Sequence, residues 1–341
     1  MATRKLFVFL FCLLFVLEVT NAWGIDIGFM NRRTYPQSTI NMGYYRRTCP
    51  RAELIAHKTV YNYVARDPTL AAGLLRMYFH DCFVTGCDGS VLLQSTANNK
   101  AERDAIPNLT LKGFNVIDAV KSALERECPG VVSCADILAL AARDSVLMIG
   151  GPFWDVPTGR RDGRTSLASQ ASAELPSPFA NIAQLKQNFA AKGFNAKELA
   201  VLSGGHTIGT GHCSIISSRL YNFTGRGDTD PSLDPIYAAQ LKKKCLLGGS
   251  SAVVAELDPG SVKSFDAAYY SVVANKRGFF QSDAALLDDY ETRSYVKFQS
   301  FSRGSTFGRD FSKSMEKLGY LGVLTGRQGE IRKTCAFVNK W

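Results

Sequence analysis

The chain has 341 residues, 46% hydrophobic and 21% charged, enough for one large domain or two ordinary ones and too apolar for a disordered chain. Its formal net charge is +10 at pH 7, yet the Lys and Arg residues are scattered and form no dense run, which argues against a nucleic-acid partner. Such a charge favours anionic surroundings, and acidic extracellular polysaccharide is the expected polymer partner.

Arg4 and Lys5 precede an unbroken apolar run at residues 6–17, and Thr20 and Ala22 supply a small-residue cleavage pattern. This predicts a secretory signal peptide over residues 1–22, too short for a bilayer span of about 20 residues. No later segment is long and apolar enough to cross a membrane, so no membrane partner is expected. Residues 23–42 are polar and irregular, an N-terminal arm. A helix is expected near residues 51–66, stopping before Pro68, and another from Thr69 to about Phe83. Phe114, Ile117 and Leu124 fall on one face of a third helix, and a fourth follows Cys134 and ends at Gly150-Gly151. Asn195 and Glu198 form a capping box for the helix carrying Leu199 and Leu202, while Phe307, Phe311, Met315 and Leu318 mark a late helix. Gly/Pro/Ser-rich stretches at 150–182 and 222–264 read as long loops, and strand-like alternation is scarce. The expected fold class is mainly α, with long loops held by disulfides.

Nine cysteines become eight once Cys12 leaves with the signal. An even number in a secreted chain points to four disulfides, with about 105 connectivities open. Only Cys82 and Cys87 read as a local pair. Zinc is disfavoured, because compact Cys-x-x-Cys pairs are missing.

Of the four histidines, His57, His80, His206 and His212, two have informative neighbours. Arg76 and His80 lie four residues apart on one predicted helix and share a face, with Phe79 beside them. The cation disfavours a protonated ring, which keeps His80 available as a base. Asp81, Asp88 and Ser90 then offer oxygen donors in close order, as a hard cation such as calcium requires, although the spacing is not that of an EF-hand. Around His206, the run Leu202-Ser-Gly-Gly-His206-Thr-Ile-Gly places paired glycines where a flat ligand or a second backbone could approach closely.

The run Arg76-Met-Tyr-Phe-His-Asp-Cys-Phe-Val-Thr-Gly-Cys-Asp-Gly-Ser90 resembles the distal motif of the secreted plant (class III) haem peroxidases, and the run around His206 resembles their proximal motif. The likeness extends from about Gly43 to Arg332. It implies a haem-peroxidase-like helical fold over residues 43–341, with a distal half to about residue 180, a proximal half from about 181, and haem b between them. It also implies the bridges Cys49–Cys128, Cys82–Cys87, Cys134–Cys335 and Cys213–Cys245.

By the same resemblance, His206 is the haem-iron ligand and Asp283 the carboxylate that receives its other ring N–H. His80 is the general acid–base, Arg76 the cation that stabilises developing negative charge, and Asn108 the residue orienting His80. Phe79 joins the cofactor-binding set, and Pro176 contacts substrate. Two calcium ions are implied. The distal one falls to Asp81, Val84, Gly86, Asp88 and Ser90, with Glu102 acting through water. The proximal one falls to Thr207, Asp258, Ser261, Ser264 and Asp266. The implied activity is hydrogen-peroxide-dependent oxidation of small phenolic or aromatic reductants, in two one-electron steps, by a monomer. Roles in cell-wall metabolism, lignification or the oxidative stress response are expected. Of the sequons at Asn108 and Asn222, only Asn222 is expected to carry a glycan, because Asn108 is assigned to His80.

The rival readings are a catalytically silent wall protein, which loss of Arg76, His80 or His206 would have favoured, and a haem oxidase built on the same site. The lack of Cys-x-x-Cys-His argues against a c-type cytochrome. The short tail after Cys335 favours extracellular delivery over the vacuole.

Overall fold

The computed structural model describes residues 40–340. The expected signal peptide and residues 23–39 of the arm lie outside these residues. The last of the arm is not irregular: Ile40 is buried, and Asn41 and Thr158 exchange two backbone hydrogen bonds of 3.0 Å each.

Helix α1 (Ala52–Val64) buries Ala52, Ala56, Val60 and Val64, a strict four-residue stripe. It ends ahead of Pro68, which cannot continue a helix. Helix α2 (Leu70–Val84) follows, its bounds within a residue of those expected. Helix α3 (Phe114–Glu127) buries Ile117 and Leu124; Phe114 is only half-buried and lies under the Arg103 guanidinium, 3.9 Å from the ring centroid. Helix α4 (Cys134–Met148) is the centre of the fold, buried without a break from Cys134 to Val146. Both α1 and α2 pack on it. It stops because Gly150 adopts φ 85° and because any Cβ at Gly151 would collide with Val146.

The second half is built from shorter pieces: α5 (Ala168–Glu174), α6 (Ile182–Ala191), α7 (Ala196–Ser203), α8 (Cys213–Tyr221), α9 (Pro235–Lys244), α10 (Ala268–Ala274), α11 (Gln281–Ala285), α12 (Tyr290–Phe301) and α13 (Phe307–Leu318). The Asn195/Glu198 capping box opens α7 as expected, and a matching Asn181/Gln184 box opens α6. Phe307, Phe311, Met315 and Leu318 are all buried on α13. Two helices, α5 and α9, fall inside the stretches expected as loops. Two three-residue strands were also not anticipated: β1 (Thr210–His212) pairs antiparallel with β2 (Val254–Glu256), which lies in the second of those stretches, Gly211 opposite Ala255. Runs so short carry too few residues for a period to show.

Four disulfides join Cys49 to Cys128, Cys82 to Cys87, Cys134 to Cys335 and Cys213 to Cys245. Buried charge also ties distant segments together. The Asp136 carboxylate on α4 receives the Tyr45 hydroxyl at 2.6 Å, the Gly159 N–H at 2.7 Å and the Arg160 guanidinium at 2.8 Å. Arg160 also donates to the carbonyl of Gly319, just past α13. Both members of this ion pair are buried side chains, so each depends on the other for compensation. Asp136→Ala should therefore lower the unfolding free energy by about 3–5 kcal/mol, seen as a lower urea midpoint with an unchanged slope. A loss below about 1 kcal/mol, the range of a surface pair, would show the pair to be dispensable.

Candidate active site

Helix α2 carries Arg76 and His80 one turn apart. The Arg76 guanidinium is fixed by the Thr110 hydroxyl at 2.9 Å and the Pro107 carbonyl at 2.6 Å. No carboxylate pairs with it among the described residues, and burial lowers its pKa to about 10, so it stays charged at neutral pH. Opposite, the short turn Ile106–Asn108 presents the buried Asn108 side chain. Its amide N–H₂ donates to the Glu102 carbonyl at 2.7 Å. Only its oxygen is left to face His80, 2.5 Å from Nδ1. An amide oxygen cannot donate, so Nδ1 carries the proton and Nε2 keeps its lone pair. Burial and then the Arg76 charge push the His80 pKa down to about 3, against the opposing Asn108 bond. Phe79 is half-buried, stacked on Phe83 at 4.5 Å and edge-on to His80 at 6.2 Å.

A second histidine is held in the complementary way. Helix α7 runs into the tight turn Gly204–Thr207, which carries His206. A side chain at Gly204 would strike the Tyr270 hydroxyl and Phe307, so the first glycine serves packing; Gly205 meets nothing closer than Leu75 at 3.6 Å. His206 Nδ1 lies 2.8 Å from Asp283 Oδ1, on α11. The same carboxylate receives the Tyr269 hydroxyl at 2.9 Å and the Phe280 N–H at 2.8 Å. Burial works to raise the Asp283 pKa, but the neighbouring His206 and these donors outweigh it and hold the group below the usual carboxylate range. Asp283 therefore accepts a hydrogen bond from Nδ1–H, which leaves the Nε2 lone pair of His206 free on a ring that is 39% exposed.

The two proposed cation sets differ in completeness. In the first, Asp81 receives the N–H groups of Gly89 and Val91, and Asp88 that of Ser90. The Cys82–Cys87 bridge closes the loop between them. Glu102 is buried beside them, and neither of its carboxylate oxygens has a hydrogen-bond partner among the described residues. Burial pushes its pKa up to about 7. In the second, the Thr207 hydroxyl lies 3.1 Å from Asp258 and 3.0 Å from Asp266, and Ser261 donates to Asp266 at 2.7 Å. Asp258 Oδ1 is buried and unpartnered among the described residues, and burial raises its pKa to about 7. Ser264 is exposed and reaches this group only through its backbone N–H, 3.0 Å from the Ser261 carbonyl. No three His, Cys, Asp or Glu side chains make a metal group by themselves among the described residues. Each set instead mixes two carboxylates with hydroxyl and carbonyl oxygens, the donors a hard cation takes.

Pro176 lines a cleft of about 280 Å³ with Leu175, Phe179 and Leu185; neither His80 nor His206 lines it. His57 and His212 stand apart: His57 lies 3.6 Å from Asp144, and His212 bonds the Ser251 carbonyl. Three participants went unnoticed in the sequence. Thr110 and the Pro107 carbonyl anchor Arg76, and Tyr269 anchors Asp283; no local pattern marks any of them.

A family model described as Peroxidase matches residues 56–301. "Peroxidase 1" of Arabidopsis thaliana is 59% identical over 302 residues, which are 88% of this chain and 92% of that protein. "Peroxidase 56" of the same plant is 53% identical over 340 residues, 99% of this chain and 98% of that one. "Peroxidase 1" of Oryza sativa subsp. japonica is 51% identical over 302 residues, covering 87% and 92%.

The His80 geometry sets a pH dependence. A histidine in the unfolded chain takes up a proton near its ordinary pKa of 6.5, whereas the folded ring resists until about pH 3. Between these values the unfolded state binds more protons, so stability rises with pH and is lost on acidification. His80→Gln should shrink the difference in unfolding free energy between pH 7 and pH 4, measured by urea titration. An unchanged difference would mean that the ring is not held neutral.

Proposed function

Because this chain belongs to the peroxidase family and reduces hydrogen peroxide with electrons from a donor, we propose that it is a secreted haem b enzyme with two resident calcium ions. Its donors in this reading are small phenolic or aromatic molecules, each giving one electron, within cell-wall metabolism, lignification or the response to oxidative stress. The observation that carries the reading is the state of His80: a neutral ring with a free Nε2, next to an arginine whose charge no carboxylate claims.

In this assignment His80 Nε2 takes a proton from one peroxide oxygen and returns it to the other, which departs as water. Asn108 holds Nδ1–H throughout, so the ring cannot change tautomer or turn away. The Arg76 guanidinium, already immobilised on Thr110 and Pro107, stabilises the negative charge that develops as the O–O bond breaks. His206 suits an iron ligand, since Nε2 is left free and the Asp283 carboxylate makes the ring a stronger donor. Haem bound there would supply the electrons that cleave the peroxide and hold the oxidising equivalents until two donors are consumed. Phe79 lies against the His80 side and Pro176 in the cleft offered to the donor. The orphan oxygens of Glu102 and Asp258 suit two buried calcium ions, because a buried carboxylate without a partner is costly unless a cation meets it. Asn222 is exposed and is the glycan acceptor in this reading, whereas the Asn108 amide is buried and already donating. The signal pattern at residues 1–22 supports export, and the excess of Lys and Arg over Asp and Glu suits an acidic wall polysaccharide. The chain acts as a monomer in this account.

The optical spectrum of the haem-loaded protein tests the reading. One equivalent of peroxide should shift the ferric haem band rapidly, and a phenol should restore it; a band indifferent to peroxide would overturn the proposal. His80→Ala should keep its haem yet react with peroxide about 10²- to 10⁴-fold more slowly, and near-normal kinetics would remove His80 as the base. Calcium added to chelator-treated protein at a hundred times its dissociation constant should raise stability by about 2.7 kcal/mol per site. A thermal midpoint indifferent to calcium would leave both cation assignments without support.

A further inference from the structure

The Asp283 oxygen that meets His206 also meets Tyr269, and Tyr269 begins a row of three tyrosines. The rings of His206 and Tyr269 are 6.1 Å apart, those of Tyr269 and Tyr270 5.3 Å, and those of Tyr270 and Tyr295 5.6 Å. The first two are fully buried on α10; the third, on α12, is 8% exposed and lies beneath the half-exposed Lys197, whose Nζ is 5.5 Å from the ring centroid. The row thus leads from the proposed iron ligand to the edge of the molecule.

The hydroxyl partners distinguish the three. Burial holds all three phenols protonated, their pKa values raised, so losing an electron for long requires losing the proton too. Tyr270 donates to the carbonyls of Ala200 and Val201, which cannot take a proton. Tyr269 donates to Asp283, which is already occupied by His206 and the Phe280 N–H. Tyr295 alone faces a carboxylate that no histidine shares: Asp310 Oδ2 at 3.1 Å, itself near Thr306 and 3.4 Å from Lys197.

We propose that Tyr269, Tyr270 and Tyr295 form an electron relay that makes Tyr295 a second oxidation site, serving phenolic reductants too large to enter the cleft at Pro176. This rests on the haem reading above. Tyr295 gives one electron inward through Tyr270 and Tyr269 to the site that peroxide has oxidised, and gives its phenolic proton to Asp310 Oδ2. A phenol at the surface then loses one electron to the Tyr295 radical and one proton to water, and Asp310 returns its proton to the Tyr295 oxygen. Both the relay tyrosine and its carboxylate end the cycle unchanged.

The test mixes the haem-loaded enzyme with one equivalent of peroxide and a nitroso spin trap, without reductant, and locates the trapped label by peptide mass spectrometry. The label should fall on Tyr295 in the wild type and be lost from that peptide in Tyr270→Phe, which removes only the relaying phenol. It should also be lost in Asp310→Asn, which removes the proton acceptor. Tyr295→Phe should still oxidise a small phenol but lose turnover with a polymer-linked one. A haem band that ignores peroxide would sink the haem reading and the relay with it. A band that responds while the label misses Tyr295, or stays there in Tyr270→Phe, would overturn the relay alone.

Discussion

The side-chain amide of Asn108 can satisfy His80 in one way only. Its N–H₂ is held by the Glu102 carbonyl, so its oxygen must face the ring, and the ring must answer with a proton on Nδ1. Much of the first half of the chain is arranged around that constraint. Helix α2 must bring His80 to the turn Ile106–Asn108, and the same turn must release the Pro107 carbonyl and the Thr110 hydroxyl for Arg76. Glu102 belongs to two structures at once. Its backbone fixes Asn108, while its side chain lies among the buried carboxylates that follow His80. A shift of the loop closed by Cys82–Cys87 therefore has a short mechanical route, through one residue, to the proton on His80.

The scaffold tolerates so much irregular chain because its few fixed points are strong. Helix α4 supplies an apolar axis buried over nearly its whole length, and the charges it buries are compensated within the fold. Asp162 and Arg332, both buried, join three distant segments. Asp162 receives the N–H of Ala135 at the start of α4 and the N–H of Arg332. The Arg332 guanidinium in turn donates to the Gly89 carbonyl, just past the Cys82–Cys87 loop, and to the carbonyl of Cys335 in the C-terminal tail. Loops between such points need no periodic packing of their own, and disulfides hold what the core does not reach. The smaller apolar cluster of Ile216, Leu220, Tyr237 and Leu241 is closed in this way by Cys213–Cys245.

What could be read from the sequence was whatever lies within a few turns of one element. The i,i+4 spacing placed Arg76 and His80 together, the capping box announced α7, and the late apolar stripe announced α13, because each needs only local geometry. Asn108 and Asp283 lie 28 and 77 residues from the histidines they serve. Nothing in their own neighbourhoods selects them, and only the resemblance to a family pointed there. Tyr269 had neither kind of signal: its role is created by the fold, which sets its hydroxyl against Asp283. The paired glycines before His206 suggest room for a flat ligand or a second backbone, whereas Gly204 makes room for the side chains of Tyr270 and Phe307.

The bridge between Cys134 and Cys335 spans 201 residues of sequence, and that separation has a temporal meaning. During synthesis Cys134 emerges shortly after Cys128, while its own partner does not yet exist. At ordinary translation speeds the delay is about 10–40 s. Through that interval Cys49, Cys82, Cys87 and the waiting Cys134 are all within reach of Cys128 in sequence, and only the first is its partner. In the folded protein α1 packs on α3, and that packing is what brings Cys49 to Cys128 and leaves the thiol on α4 for its distant partner. A bond made last in synthesis thus depends on packing between helices that contribute no atom to it.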